Sequence, residues 1–129
     1  MIDLSTLTIE KAHNSLEKGE FTCRELAEAY LKVVKEKNQE IHAYLEVYSD
    51  VSAQAEAAQK KFKDGTATMM TGIPVAVKDN ILITGRIVSS GSKMLENYKG
   101  TYDATVIKKL KDAGAVFLGR TNMDEFAMG

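Results

Sequence analysis

Residues 72–80, with the sequence GIPVAVKDN, decide how the middle of this chain folds. The apolar run over residues 73–77 is short and rich in β-branched side chains, which predicts a strand covered on both faces of its sheet. The only proline of the chain stands near the start of the run, where a missing N–H donor is tolerated. Lys78 follows at once, so the strand is expected to carry a lysine to its polar end.

Two interpretations of Lys78 are open. A lysine at a strand end beside Asp79 is usually a surface charge with a nearby counter-ion. If the preceding apolar residues enclose the amine instead, the ammonium form loses stability and the neutral amine can take a proton from a hydroxyl nucleophile. Asp79 and Asn80 are expected to shape the turn and to supply supporting hydrogen bonds rather than to react.

The residues after this strand predict a helix and a second strand. Asp103 is expected to cap a helix that stops at Gly114, and an apolar strand over residues 115–118 follows directly. The side chains expected to be buried on this helix are Val106, Ile107 and Leu110. Strand, helix and strand in this order indicate a parallel crossover, and therefore an α/β fold with a sheet layered by helices.

The first half of the chain is predicted to be mainly helical. Thr8 is expected to cap a short helix that ends at Gly19, and Thr22 opens a capping box and a longer helix to about residue 37. Together these segments predict an N-terminal helical hairpin.

A strand and a third helix are predicted to follow the hairpin. Residues 41–48 alternate in character, as in a strand with two unlike faces. Asp50 is then expected to cap an alanine-rich helix that ends at the Asp64-Gly65 turn.

Composition and motif spacing exclude several classes of function. Seventeen basic and eighteen acidic residues give a net charge of -1, so no broad positive field is available for a nucleic acid. His13 and His42 lack metal-ligand spacing, and the single cysteine, Cys23, fits a reducing cytoplasmic setting. The sequence shows no membrane-spanning apolar stretch and no secretory signal.

A serine-rich loop around Gly91 suggests a nucleophile or an anion site at first sight. Its serines are Ser89, Ser90 and Ser92. They lack the glycine spacing of a phosphate cradle, and no helix clearly opens behind them. An ordinary loop is therefore the favoured interpretation.

The end of the chain indicates a fragment. Residues 121–129, TNMDEFAMG, contain a helix-like turn but no terminating element. Two strands of a crossover would also leave open sheet edges that need a partner. We therefore expect residues 1–129 to be part of one domain, with residues 1–65 mainly helical and residues 66–129 forming the strand-helix-strand unit.

Several stretches resemble the amidase signature family. They are LTIEKAHNSLEKGEFTCRELAEAYL (7–31), GIPVAVKDNI (72–81), GSKMLENY (91–98) and YDATVIKKLKDAGAVFLGRTNMDEFAMG (102–129), which together cover nearly the whole chain. The core G-[IV]-P-x-x-x-K-D-N is typical of the family but not of one substrate. The segments KMLENY, YDATVIKKLKDAGA and TNMDEFAMG favour the N-terminal part of the A-type subunits of glutamyl-tRNA(Gln) amidotransferases.

The resemblance implies a catalytic role for Lys78. Enzymes of this family use a serine nucleophile, a second serine with a cis peptide bond, and a lysine that matches Lys78. The amine draws a proton through the bridging serine, and the same relay later protonates the departing ammonia. Relatives carry both serines downstream in a glycine- and serine-rich signature, so the loop serines at 89–92 do not replace them. The chain alone is expected to be inactive.

The resemblance also implies substrates and partners. The full-length enzyme would release ammonia from glutamine, or from asparagine as a lesser donor, to convert Glu-tRNA(Gln) to Gln-tRNA(Gln) for translation. A B-type partner subunit would use ATP and magnesium and make most of the tRNA contacts, while this chain needs no cofactor. A small C-type subunit would complete a cytoplasmic heterotrimer.

Two other functions remain open at this point. A different amidase of the same family, acting on a small or fatty amide, would need no partner subunits. A non-catalytic binding module would require the reading frame to stop after Gly129. Glutaminase assays of the complete gene product and the sequence beyond Gly129 distinguish these alternatives.

Overall fold

The computed structural model describes residues 1–129 and has an α/β architecture with four helices and a three-stranded mixed sheet. The helices are α1 (Ile9–Lys18), α2 (Cys23–Ile41), α3 (Val51–Lys63) and α4 (Thr105–Asp112). The strands are β1 (Tyr44–Val47), β2 (Pro74–Lys78) and β3 (Val116–Thr121), and short 3-10 turns lie at Lys93–Leu95 and Glu125–Ala127. The fold class expected from the sequence is confirmed.

The sheet has the order β1-β3-β2, with β3 in the centre. Strands β2 and β3 run parallel and are joined through α4, so the predicted crossover is confirmed, whereas β1 pairs with β3 in the antiparallel direction. Gly119 permits the close approach of β1, because a Cβ at this position would overlap the backbone at Glu46. Lys78 pairs with Thr121, so both parallel strands end at the same edge of the sheet.

Helices α1 and α2 begin with the predicted caps, and α1 also ends at the predicted glycine. Thr8 accepts a hydrogen bond from the N–H of Lys11, and Gly19 ends α1 in the left-handed conformation with φ of 71°. At the start of α2, Thr22 and Glu25 form both hydrogen bonds of a capping box.

Helix α2 is longer than predicted and ends at Ile41 instead of residue 37. No proline or glycine interrupts these residues, and His42 closes the helix in the left-handed conformation. The Asn38 side chain stabilises this extension, since its Oδ1 accepts from the N–H of Tyr44 at 2.7 Å and its Nδ2 donates to the carbonyl of Tyr44 at 2.9 Å.

Two expected side-chain caps are wrong. Asp50 stands at the N-cap position of α3 but makes no capping hydrogen bond, and its carboxylate binds Arg86 instead. Helix α4 starts after Ala104, and the carboxylate of Asp103 binds Lys111. In both cases the carboxylate makes a charge-assisted bond to a cation instead of capping its helix.

The hydrophobic core contains side chains from both halves of the chain, and α2 and α3 pack on each other and against the sheet. Its large members include Leu16, Leu26, Val51, Val77, Ile83, Ile107, Val116, Phe117 and Leu118. None of the helices is long and apolar enough to span a membrane.

Two predictions about burial are wrong. In α4 only Ile107 is fully buried, while Leu110 is partly buried and Val106 is 49% exposed, because this eight-residue helix turns a narrow stripe toward the core. Strand β2 is not covered on both faces, since Val77 is buried but Ala76 is exposed.

Candidate active site

The candidate site lies at the sheet edge where β2 and β3 end. Ligands of sheets with parallel strands bind beyond the carboxyl ends of the strands, and Lys78 is the last residue of β2. Residues 89–92 and 122–128 pack together at this edge, where the N–H of Phe126 donates to the carbonyl of Ser90 at 2.9 Å. Two loops thus lie beside the strand end that carries the lysine.

Asp79 is the centre of the hydrogen bonding at this edge, and only 1% of the residue is exposed. Its Oδ1 accepts from the N–H of Ser89 at 2.9 Å and from Arg120 Nη1 at 2.9 Å. Its Oδ2 accepts from Ser89 Oγ at 2.5 Å and from the N–H of Gly91 at 2.9 Å. The Asp79 carboxylate thus organises the serine-rich loop, while its supporting role in catalysis stays a prediction.

The surroundings keep Asp79 ionised. Burial raises the pKa of this carboxyl, but the hydrogen bonds from Ser89, Gly91 and Arg120 together outweigh burial and hold its pKa below the usual range. Backbone N–H groups that converge on a buried anion in this way form a nest.

Arg120 is the residue that sequence reasoning missed. Its Nη1 also donates to Ser89 Oγ at 3.0 Å, and its Nε lies 3.4 Å from Glu46 Oε1. A pattern in the sequence does point to it, because Arg120 follows the apolar run of β3 much as Lys78 follows the apolar run of β2. Register places Arg120 beside Val77, one position before the lysine.

Lys78 itself is exposed, as the first interpretation of this residue expected, and residues 1–129 do not form the apolar enclosure that the second one requires. Its amine makes no ion pair, because the expected counter-ion, Asp79, pairs with Arg120. Asn80 is exposed in the turn that follows, where the N–H of Ile81 donates to the carbonyl of Lys78 at 3.0 Å.

The two loops at the edge have a strained and interlocked backbone. Ser90, Phe126 and Ala127 have φ values of 50°, 52° and 59°, which are unfavourable for residues other than glycine. Gly91 has φ of 64° and touches the neighbouring loop so closely that a Cβ would lie 2.7 Å from the Met123 carbonyl oxygen. Strain of this kind concentrates at functional sites, and here it lies beside Lys78.

Of the remaining candidates from the sequence, Ser92 belongs to the framework of this site and the two histidines lie outside it. Ser92 is buried and donates to Glu125 Oε1 at 2.6 Å, which ties the two loops together. His13 packs near Phe62, and His42 ends α2. No group of three or more His, Cys, Asp or Glu side chains is arranged to hold a metal ion.

Comparison with known proteins identifies the family. The family model described as Amidase matches residues 25–129, which is most of the chain. The chain belongs to the amidase signature family. The segment GIPVAVKDN lies within the matched residues and ends at the candidate site.

Curated relatives of this amidase family member include A-type subunits of glutamyl-tRNA(Gln) amidotransferases. The one from Acinetobacter baumannii is 45% identical over 100% of the chain, and the one from Thermoanaerobacter pseudethanolicus is 43% identical over 99%. The chain spans 26% of the length of each of these relatives.

Solved structures of amidases share the fold. The native peptide amidase from Stenotrophomonas maltophilia superposes with a TM-score of 0.90 at 28% identity, over 95% of this chain and 26% of its own. An amidase family protein from Bacillus anthracis gives a TM-score of 0.86 at 27% identity, over 93% and 25% of the two chains. The 129 residues therefore adopt part of the amidase signature fold.

Proposed function

We propose that residues 1–129 are the N-terminal part of the glutamine-hydrolysing A-type subunit of a glutamyl-tRNA(Gln) amidotransferase. The observation that carries this proposal is the identity of 43–45% to such subunits along essentially the whole chain. The peptide amidase, an amidase of another kind, reaches 28%. The family-wide GIPVAVKDN core alone would not separate these substrates.

Lys78 is the proposed proton acceptor of this enzyme. It is held at the end of a strand, and its amine is free of any carboxylate partner. In the proposed reaction the amine takes the proton of a nucleophilic serine through a second, bridging serine, and the serine attacks the amide carbonyl of glutamine. The two serines and the cover that excludes water from Lys78 belong to the remainder of the enzyme.

The proposed assembly is a cytoplasmic heterotrimer. The A-type subunit releases ammonia, its B-type partner activates Glu-tRNA(Gln) with ATP and magnesium, and a small C-type partner completes the complex. No cofactor is assigned to residues 1–129. The names of the relatives support a multi-subunit assembly, since each describes one subunit of a glutamyl-tRNA(Gln) amidotransferase.

Ammonia release by the complete gene product tests the substrate and the partners. We expect glutamine hydrolysis to increase when both partner subunits and Glu-tRNA(Gln) are added, with Gln-tRNA(Gln) as the product. A rate of ammonia release that is unchanged by the two partner subunits and by Glu-tRNA(Gln) would contradict the proposal. The 129-residue chain alone should release no ammonia from glutamine.

Replacement of the lysine tests its role. We expect Lys78→Ala in the complete enzyme to lower kcat for glutamine hydrolysis by at least about 10²-fold, the scale of general acid-base catalysis, while the fold is retained. Lys63→Ala is the matched control, because Lys63 is also exposed and lies at the end of α3. A folded Lys78→Ala enzyme that keeps more than a few per cent of the wild-type rate would show that another group accepts the proton.

A second candidate function is hydrolysis of a peptide amide or another small amide without partner subunits. The TM-score of 0.90 to the peptide amidase favours it as the alternative. C-terminally amidated peptides distinguish the two activities, because the proposed amidotransferase should leave them intact while it hydrolyses glutamine.

A further inference from the structure

Asp79, Ser89 and Arg120 form an ionic network at the end of β2, and Asp79 is the residue that follows Lys78 in the chain. We propose that this network positions the Lys78 amine for catalysis and that Arg120, supplied by the neighbouring strand, is its essential cation. The inference rests on the proposed role of Lys78 as proton acceptor. It adds Ser89 and Arg120 to the residues on which the reaction depends, although neither is expected to touch the substrate.

The network holds the backbone that carries the Lys78 side chain. The peptide group between Lys78 and Asp79 is bonded on both sides: its carbonyl accepts from Ile81 N at 3.0 Å, and its N–H donates to Thr121 O at 3.1 Å. The next carbonyl, that of Asp79, accepts from Ser90 N at 2.8 Å. Because the Asp79 carboxylate is hydrogen-bonded as well, these contacts restrain the backbone at the root of the Lys78 side chain.

Arg120 stabilises the buried carboxylate of Asp79. An ionised carboxylate out of contact with water is costly unless a cation and hydrogen bonds compensate it. Arg120 Nη1 bridges Asp79 Oδ1 and Ser89 Oγ, at 2.9 and 3.0 Å, while its Nε faces Glu46. Only the planar, branched guanidinium can serve these directions together, which the point charge of a lysine cannot do.

The network also affects the charge next to the Lys78 amine. A free carboxylate next to an amine favours the ammonium form, and an ammonium cannot accept a proton. Asp79 is the nearest acid to Lys78 in the sequence, but all of its carboxylate contacts are with Arg120, Ser89 and Gly91. The network therefore both holds the lysine and keeps the adjacent acid away from it.

Steady-state kinetics of the complete enzyme tests this proposal with two variants and one control. Asp79→Asn removes the negative charge of the carboxylate at nearly constant side-chain volume. Arg120→Lys keeps the positive charge but loses the planar set of guanidinium N–H donors. The matched control is Asp50→Asn, because Asp50 also pairs with an arginine, Arg86, at 2.8 Å but lies elsewhere. We expect kcat to fall on the order of 10²-fold in Asp79→Asn and about tenfold in Arg120→Lys, with KM within about twofold of the wild type.

The split between kcat and KM separates positioning from a general loss of structure. Equal loss of activity in Asp50→Asn and Arg120→Lys would overturn the proposal, because any ion pair would then matter as much. Wild-type kcat in folded Asp79→Asn and Arg120→Lys, with Lys78→Ala inactive, would overturn this inference alone. Full activity in Lys78→Ala would overturn both the inference and the proposed catalytic role. If Asp79→Asn does not fold, Arg120→Lys decides the outcome.

Discussion

At the scale of single residues, burial controls the chemistry of Cys23. Its side chain is completely buried, and Gly72, with φ of 77°, packs so closely on it that an added Cβ would overlap the Cys23 sulfur. Burial raises the pKa of the Cys23 thiol to about 11, since the thiolate loses its hydration. The cysteine is therefore a packed core residue in the first turn of α2.

The expected consequence is that the native thiol is unreactive. A chromogenic disulfide reagent near neutral pH should leave Cys23 unmodified in the native protein and modify one thiol per chain in denaturant. The reaction in denaturant is the control for reagent and stoichiometry. Rapid modification of the native protein would mean that this part of the core opens readily.

At the scale of elements, local hydrogen bonds set where helices begin. Thr22 N donates to Glu25 Oε2 at 2.7 Å, and Glu25 N donates to Thr22 Oγ1 at 3.1 Å, so two backbone donors at the start of α2 are satisfied. Such a pattern is readable from the sequence because donor and acceptor are three residues apart. The same reasoning failed for Asp50 and Asp103. Asp50 binds Arg86, which is distant in the chain, and Asp103 binds Lys111 of α4.

The capping box should have a measurable effect on stability. We expect Thr22→Ala to lower the free energy of unfolding by about 1 kcal/mol, because it leaves the N–H of Glu25 without its acceptor. Thr101→Ala is the control, since Thr101 is exposed in a bend rather than at a helix start. Denaturant unfolding monitored by circular dichroism measures both, and an equal change in the two variants would refute the role of the cap.

At the scale of the whole molecule, aspartates join segments that are distant in the chain. Asp103 accepts from Lys111 Nζ at 2.8 Å and from the N–H of Thr84 at 2.8 Å, and these bonds lower its pKa from 3.8 to about 2. The pKa of Asp79 is lowered as well, because its hydrogen bonds outweigh the opposing effect of burial. In the unfolded chain both carboxyl groups regain ordinary pKa values and bind protons more readily.

Stability should therefore fall in acid. Between about pH 4 and about pH 2 the unfolded chain holds more protons than the folded one, so the free energy of unfolding decreases as the pH falls. The contribution of Asp103 is fully present above its unfolded pKa of 3.8 and is lost as the pH approaches about 2. Asp103→Asn should flatten this part of the pH profile in urea unfolding, and an unchanged slope would contradict the assignment.

The elements of this protein could be predicted because their signals are local. The capping residues, the glycine that ends α1 and the apolar runs of β2 and β3 lie within the segments that they define. The α/β crossover follows from their order, and Lys78 follows from its place directly after an apolar run. The position of Lys78 at the strand end was thus predictable, whereas the choice between an exposed and an enclosed amine was not, because exposure depends on which residues cover β2. Its catalytic role rests on the family resemblance and stays a prediction.

The sequence by itself therefore determined the order of the main helices and strands, the parallel crossover and the lysine at the strand end. Only the tertiary structure decided that Asp79 pairs with Arg120, 41 residues away along the chain, and that Ser89 joins them. The physical reason is that ion pairs and buried hydrogen bonds depend on distance in space, and the chain contains many acids and bases of similar intrinsic chemistry. The pairing of β3 with β2 selects the Asp79–Arg120 pair and places it at the strand end that carries Lys78.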